Sequence, residues 1–147
     1  PPRSTLFPYT TLFRSVTAYH MDSSAGTLSA FQTIATLPEG VTQRNTCSQI
    51  QISPSGKFLY VPNRGHNSIA CFSVDASTGR LSAIGQVPTE AVPSAFSLDP
   101  EGKFVFAAGS ASGRLAAYRI NSDMGGLTPL ETYSVGERPM GVLVTSL

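Results

Sequence analysis

Pro54-Ser55-Gly56-Lys57-Phe58 and Pro100-Glu101-Gly102-Lys103-Phe104 are one phrase written twice, 46 residues apart. The same interval separates Leu81 from Leu127, Phe72 from Tyr118 and Pro93 from Pro139. A self-similar unit of fixed length marks stacked modules, because each unit buries its apolar face only against a neighbour. Short strands and turns at a period of roughly 40–50 residues are the sequence signature of a β-propeller blade.

The pattern runs backwards with one interruption. Gly26-Thr27-Leu28 answers Gly79-Arg80-Leu81, and Tyr19 answers Phe72, but the interval is now 53. Ser48 to Ser94 is again 46, so the extra residues fall between Leu28 and Ser48. The polar stretch Leu37-Pro38-Glu39-Gly40-Val41-Thr42-Gln43-Arg44-Asn45-Thr46 is the expected insertion. Insertions in such arrays map to loops on one face, often the binding face, although simple drift in loop length gives the same pattern.

One full unit reads as four strands: Ser48–Ser53 innermost, then Phe58–Asn63, Ser68–Asp75 and Leu81–Val87. The next repeats them as Ser94–Asp99, Phe104–Ala108, Arg114–Asn121 and Leu127–Val135. Before them stand Val16–Asp22 and Leu28–Leu37 as a third and fourth strand; after them, Met140–Ser146 reads as a lone closing strand. Gly and Asp or Asn occupy the turns, where positive φ and local side-chain bonds are needed. Segments such as Ile69-Ala70-Cys71-Phe72 lack alternation, as strands buried on both faces do. No helical-length window keeps a 3.6-residue period. The expected fold is all-β: a partial β-propeller of about two and a half four-stranded antiparallel blades plus a closing strand, since a closed ring takes about four to eight blades.

Charge is sparse, at 13% of residues, and forms no basic cluster, so no nucleic-acid partner is expected. No apolar run approaches the roughly 20 residues of a membrane-spanning helix, and no membrane partner is expected. Cys47 and Cys71 lie in no metal-ligand spacing, and C-x-x-C and H-x-x-x-H are absent; no metal and no cofactor is expected. Cys71 aligns with Ala18 and Ala117, a small-residue packing slot. Asp22, Asp75 and Asn121 recur at strand ends, where Asx turns form. His20 has no counterpart in the other repeats and reads as a surface residue.

The stretch Thr5–Ser15 resembles the translation of a common sequencing-adapter oligonucleotide and has no counterpart in the repeats. Residues 1–15 are therefore expected to be non-native, with residues 16–147 the C-terminal part of the propeller. Without Arg3 and Arg14, eight basic residues face nine acidic ones and the net charge becomes −1. On that reading the native N-terminus lies upstream, no compartment is assigned, and the missing N-terminal blades of the same protein are an expected partner.

From Ile50 to Ala70, and above all in Asn63-Arg64-Gly65-His66, the chain resembles the lactonase-type seven-bladed propellers, which include 6-phosphogluconolactonase and carboxymuconate cyclase. The resemblance covers Val16–Leu147. It implies a hydrolase of carbohydrate metabolism acting on a small-molecule lactone or anionic sugar acid, without a cofactor. It places Arg64 and His66 as catalytic candidates, with Asn63 and Gln51 as substrate-binding candidates. An Arg can hold an anion bidentately, or tie blades by bonding loop carbonyls. A His can act as general base, or with Asn67 shape the loop. Three positions depart from the family pattern: Gln51 stands where a His is usual, Pro93-Ser94 where Pro-Arg is usual, and Ala108-Gly109 where Ala-Asn is usual. A neutral amide at Gln51 orients a substrate or water but supplies no acid or base. A Ser-His-Asp spacing and a phosphate loop are both lacking. The alternative is a non-catalytic propeller scaffold that binds a small ligand or a protein.

Overall fold

A computed structural model describes residues 4–6 and 14–146. Among the described residues there are eleven strands and no helix. They are β1 (Ser4–Leu6), β2 (Ser15–Asp22), β3 (Thr27–Ala35), β4 (Gln51–Ile52), β5 (Phe58–Asn63) and β6 (Ser68–Val74). The rest are β7 (Leu81–Pro88), β8 (Pro93–Leu98), β9 (Phe104–Gly109), β10 (Arg114–Ile120) and β11 (Leu127–Ser134). Three antiparallel sheets follow in chain order: β1-β2-β3, β4-β5-β6-β7 and β8-β9-β10-β11. These are the expected blades, one incomplete and two of four strands. Ser4–Leu6 pairs with Ala18–His20 on the inner side of β2.

The blades stack face to face. Along β5, Phe58 and Tyr60 enter the core shared with the third blade, while Leu59 and Val61 enter the core shared with the first. In β6 the division is Ile69 and Cys71 against Ala70 and Phe72. Every second residue points to the opposite face of a strand, so a sheet buried on both sides needs apolar residues at every position. That is the physical origin of the continuous run Ile69–Phe72.

Two strand expectations differ from the structure. The innermost strand of the middle blade, expected over Ser48–Ser53, forms a ladder only at Gln51–Ile52, with an isolated bridge between Cys47 and Asn63. Pro62 lies between the two pairings and has no N–H to donate, and the register slips by one residue there. The closing strand expected over Met140–Ser146 is no strand: residues 140–146 pair with none of the three sheets, and Met140 and Leu143 are 77% and 88% exposed. Strand structure is a property of pairs, and this segment has no partner edge among the described residues.

The C-terminal ends of β5 and β9, the loops that follow them, and the connections into β4 and β8 gather at one face. There the 36–47 connection crosses the loop between β5 and β6. A Cβ on Gly65 would overlap the carbonyl oxygen of Arg44, so only glycine lets the two loops pass.

Candidate functional site

Asn63, the last residue of β5, is fully buried and is the hub of this face. Its side-chain oxygen accepts from Thr36 Oγ1 at 2.8 Å, Asn45 Nδ2 at 2.9 Å and Cys47 Sγ at 3.5 Å. Its Nδ2 donates to the Thr36 carbonyl at 3.1 Å and to Ser68 Oγ at 3.2 Å. A buried carboxamide is costly unless its donors and acceptor lone pairs are used, and here both ends are engaged. Burial pushes the Cys47 thiol up from its ordinary value, partly offset by its bond with Thr36 and the nearby Arg64 guanidinium. The thiol therefore keeps its proton and can donate it to Asn63.

Arg64 leaves the core and folds back. Its Nη2 donates to the Cys47 carbonyl at 2.6 Å, and its backbone N–H donates to the Thr46 carbonyl at 2.8 Å. Its Nε is enclosed and has no hydrogen-bond partner among the described residues. The tie between loops that the sequence allowed for this residue is present, one guanidinium N–H bonding a loop carbonyl. His66 is half-buried, with Nδ1 2.8 Å from Ser68 Oγ. If Nδ1 carries the proton and donates it to Ser68, Nε2 keeps the lone pair that a general base needs. Asn45 Oδ1 accepts the backbone N–H groups of both Gly65 and His66, at 2.9 and 3.0 Å. The Gln43 amide donates to the Gly65 carbonyl at 3.2 Å. Sequence reading missed Thr36, Asn45 and Cys47 as members of this cluster. Asn45 and Cys47 come from the connection where an insertion was expected, and that was the available signal.

Gln51 is engaged elsewhere. Opposite Tyr60 in the ladder, it lies about 10 Å of strand from Asn63. Its Nε2 donates to the Phe96 carbonyl at 3.1 Å, and its Oε1 accepts the Leu98 N–H at 3.0 Å. The amide behaves as a short piece of strand, stitching the middle blade to β8. Ser94 also bonds across repeats, its Oγ donating to the Pro139 carbonyl at 3.2 Å, as Ser48 donates to Pro93 at 2.8 Å one repeat earlier. Gly109 takes the place of Asn63 in the third blade, where a Cβ would crowd Ser112 Oγ, the Ala91 carbonyl and Glu90. Beside it, Ser110, Ser112, Ser134, Glu137 and Arg138 line an open groove of about 860 Å³.

The sequence profile of the family described as "Lactonase, 7-bladed beta-propeller" matches residues 3–144. The chain belongs to this lactonase propeller family. It is 35% identical over 133 residues to a 6-phosphogluconolactonase of Pectobacterium carotovorum, covering 90% of this chain and 40% of that protein. A Bacillus subtilis 6-phosphogluconolactonase is 33% identical over 90 residues, covering 61% of this chain and 26% of the relative. Among solved structures, a Lactobacillus plantarum protein superposes with a TM-score of 0.86 at 28% identity, over 94% of this chain and 40% of that one. The periplasmic gluconolactonase PpgL of Pseudomonas aeruginosa superposes with a TM-score of 0.79 at 27% identity, over 86% of this chain and 35% of that one. The chain thus spans about 40% of the length of the first two curated relatives it matches. Within this lactonase-type partial propeller, the structure sets Asn63 at the end of β5, Arg64 and His66 on the loop that follows, and Gln51 in a seam between blades.

Proposed function

We propose that the chain supplies part of the active face of a propeller that hydrolyses a sugar-acid lactone such as 6-phosphogluconolactone. The observation that supports this most directly is a guanidinium tied at Nη2 and an imidazole bonded at Nδ1 two residues apart on one loop. Arg64 would stabilise the oxyanion that develops as the lactone carbonyl is attacked, and His66 Nε2 would take a proton from the attacking water. Asn63 holds the loop from beneath. Gln51, in this reading, contributes through the blade seam. Groups from further blades would complete the channel, so residues 16–147 alone are expected to be inactive. Residues 1–15 are proposed to be non-native, and resequencing the source gene across residue 15 tests that point.

The test is turnover of 6-phosphogluconolactone by the full-length protein, measured above spontaneous hydrolysis. Arg64→Ala and His66→Gln should each lower kcat/KM by about 100-fold, the range for loss of one oxyanion donor or general base. Wild-type rates in both variants would remove the reading.

A second reading, a binding scaffold without catalysis, is favoured by the seam bonds of Gln51 and Ser94. Both residues stand where the family resemblance leads one to expect His and Arg, and both side chains bond backbone of a neighbouring repeat. Absence of turnover together with saturable binding of 6-phosphogluconate, the product acid, would select it.

A further inference from the structure

The loop carrying Arg64 and His66 has an internal control one repeat later. In the third blade, the N–H groups of Ser110 and Ala111 are taken by the main-chain carbonyls of Val92 and Ala91. In the middle blade the Arg64 N–H is likewise taken by the Thr46 carbonyl, but the Gly65 N–H is taken by the Asn45 side chain. Asn45 and Ala91 are the same position of the repeat, and Gly65 corresponds to Ala111. A side-chain oxygen has replaced a main-chain one. It catches a second N–H, that of His66, and its Nδ2 donates to Asn63. The counterpart of Asn63 is Gly109, which offers no acceptor side chain. The Asn45–Asn63 coupling therefore belongs to the blade that carries the cation and the imidazole, and it arises in the connection where the repeat interval lengthens to 53.

We propose that Asn45 is a positioning residue: its carboxamide oxygen, by accepting the Gly65 and His66 N–H groups together, fixes the turn that presents Arg64 and His66 side by side. The proposal rests on the lactonase reading for its chemical purpose but not for its geometry. Asn45 is 4% exposed, so the accepting oxygen of the clasp is largely shielded from competing water. Two N–H groups converging on one oxygen fix the direction of the peptide units between them, and with it the departure of the neighbouring side chains. Small displacements at such a point are costly to rate, because proximity contributions fall steeply with misplacement.

Two variants of the full-length protein separate the roles of the amide. Asn45→Asp keeps the accepting oxygen and removes the donation to Asn63; Asn45→Leu keeps the bulk and removes both. Amide hydrogen exchange reads the geometry directly. In Asn45→Leu the Gly65 and His66 amides should exchange at least about tenfold faster relative to Tyr60 and Ile69, whereas Asn45→Asp should leave them within about threefold of wild type. Kinetics read the consequence. Asn45→Leu should lower kcat by about tenfold or more, and Asn45→Asp should retain kcat while its added charge raises KM for the anionic lactone. Unchanged Gly65 and His66 exchange in Asn45→Leu overturns the proposal. If Asn45→Leu does not fold, Asn45→Ala takes its place, and unchanged Gly65 and His66 exchange there overturns the proposal equally. Wild-type protein without lactone turnover would remove the catalytic reading alone, since the exchange result still decides whether Asn45 sets the loop.

Discussion

At the scale of single residues, the site is organised around a buried amide rather than around a charge. Asn63 accepts from three side chains and donates to two more oxygens. Asn63→Leu would keep the bulk but leave Thr36, Asn45 and Cys47 facing a hydrocarbon. The expected loss is about 2–4 kcal/mol, from several polar groups left unpaired at about 1–3 kcal/mol each with partial relaxation. A urea midpoint for the full-length protein checks it, and a loss under about 0.5 kcal/mol would contradict the network. A pH effect arises at a different residue. The Asp75 carboxylate accepts from Ser77 Oγ and Thr78 Oγ1 and from both backbone N–H groups, holding its carboxyl down at about 2. A depressed folded-state value means that this turn's contribution is complete above the free carboxyl's usual range of about 4 and is lost as pH falls through about 2. Melting temperature between pH 5 and pH 2, read for wild type and Asp75→Asn, should converge towards the acid end; parallel curves would refute the assignment. Asn121 occupies the same place in the third blade and accepts the N–H groups of Asp123 and Met124 without titrating in this range. The recurrence of Asp22, Asp75 and Asn121 was legible as Asx turns because such bonds are local, two or three residues along the chain. Asn45 was not legible in the same way. Its partners Gly65 and His66 lie 20 and 21 residues away, and no local pattern announces them.

At the scale of elements, blades are joined by side-chain amides that imitate backbone. Gln32 on β3 donates to the Leu81 carbonyl at 2.8 Å and accepts the Leu81 N–H at 2.7 Å, as Gln51 does with Phe96 and Leu98 on β8. Each clasp closes a polar ring across the seam between two blades. Gln32→Leu should cost about 1–3 kcal/mol by leaving both Leu81 backbone groups without those bonds, again read as a urea midpoint. Gln51→His is more telling. One imidazole nitrogen reaches one of the two backbone groups, so stability should fall by about 1 kcal/mol. If lactone turnover nevertheless rises, the seam position is part of the reacting channel; if it falls or holds, Gln51 is structural in this protein. The strand order and most strand positions could be read from turn phrases at a fixed interval, since a turn residue declares its own backbone. The two misplaced elements, the inner strand of the middle blade and the segment after Pro139, share one cause. Their pairing depends on another segment: on a proline without an N–H in one case, and on an edge not among the described residues in the other.

At the scale of the whole molecule, the repeat identifies an unfinished interface. Phe58, Tyr60, Ile69 and Val87 form the middle blade's side of the core with the third blade. Their counterparts one repeat on are Phe104, Phe106, Leu115 and Tyr133. Val105 and Ala107 point inward to the shared core, so Phe104 and Phe106 point outward by alternation, and Tyr133 is 47% exposed. This face is shaped to receive another blade. Residues 16–147 expressed by themselves should therefore self-associate, with light scattering showing species larger than the monomer and a broad melt. A monodisperse, cooperatively melting monomer would contradict that expectation.

The sequence by itself determined the all-β class, the blade period, the turns and the family, because these are written in residues that act on their own backbone or recur at a fixed spacing. It also named Asn63, Arg64 and His66 as neighbours, being close in sequence. Only the tertiary structure decided what surrounds them: that Gln51 and Ser94 face seams, that Asn63 is a buried hub, and that Asn45 reaches across to hold the loop. Those are hydrogen bonds between segments about 20 to 50 residues apart. They exist because burial in a low-dielectric interior makes an unpaired polar group costly, wherever in the chain its partner lies.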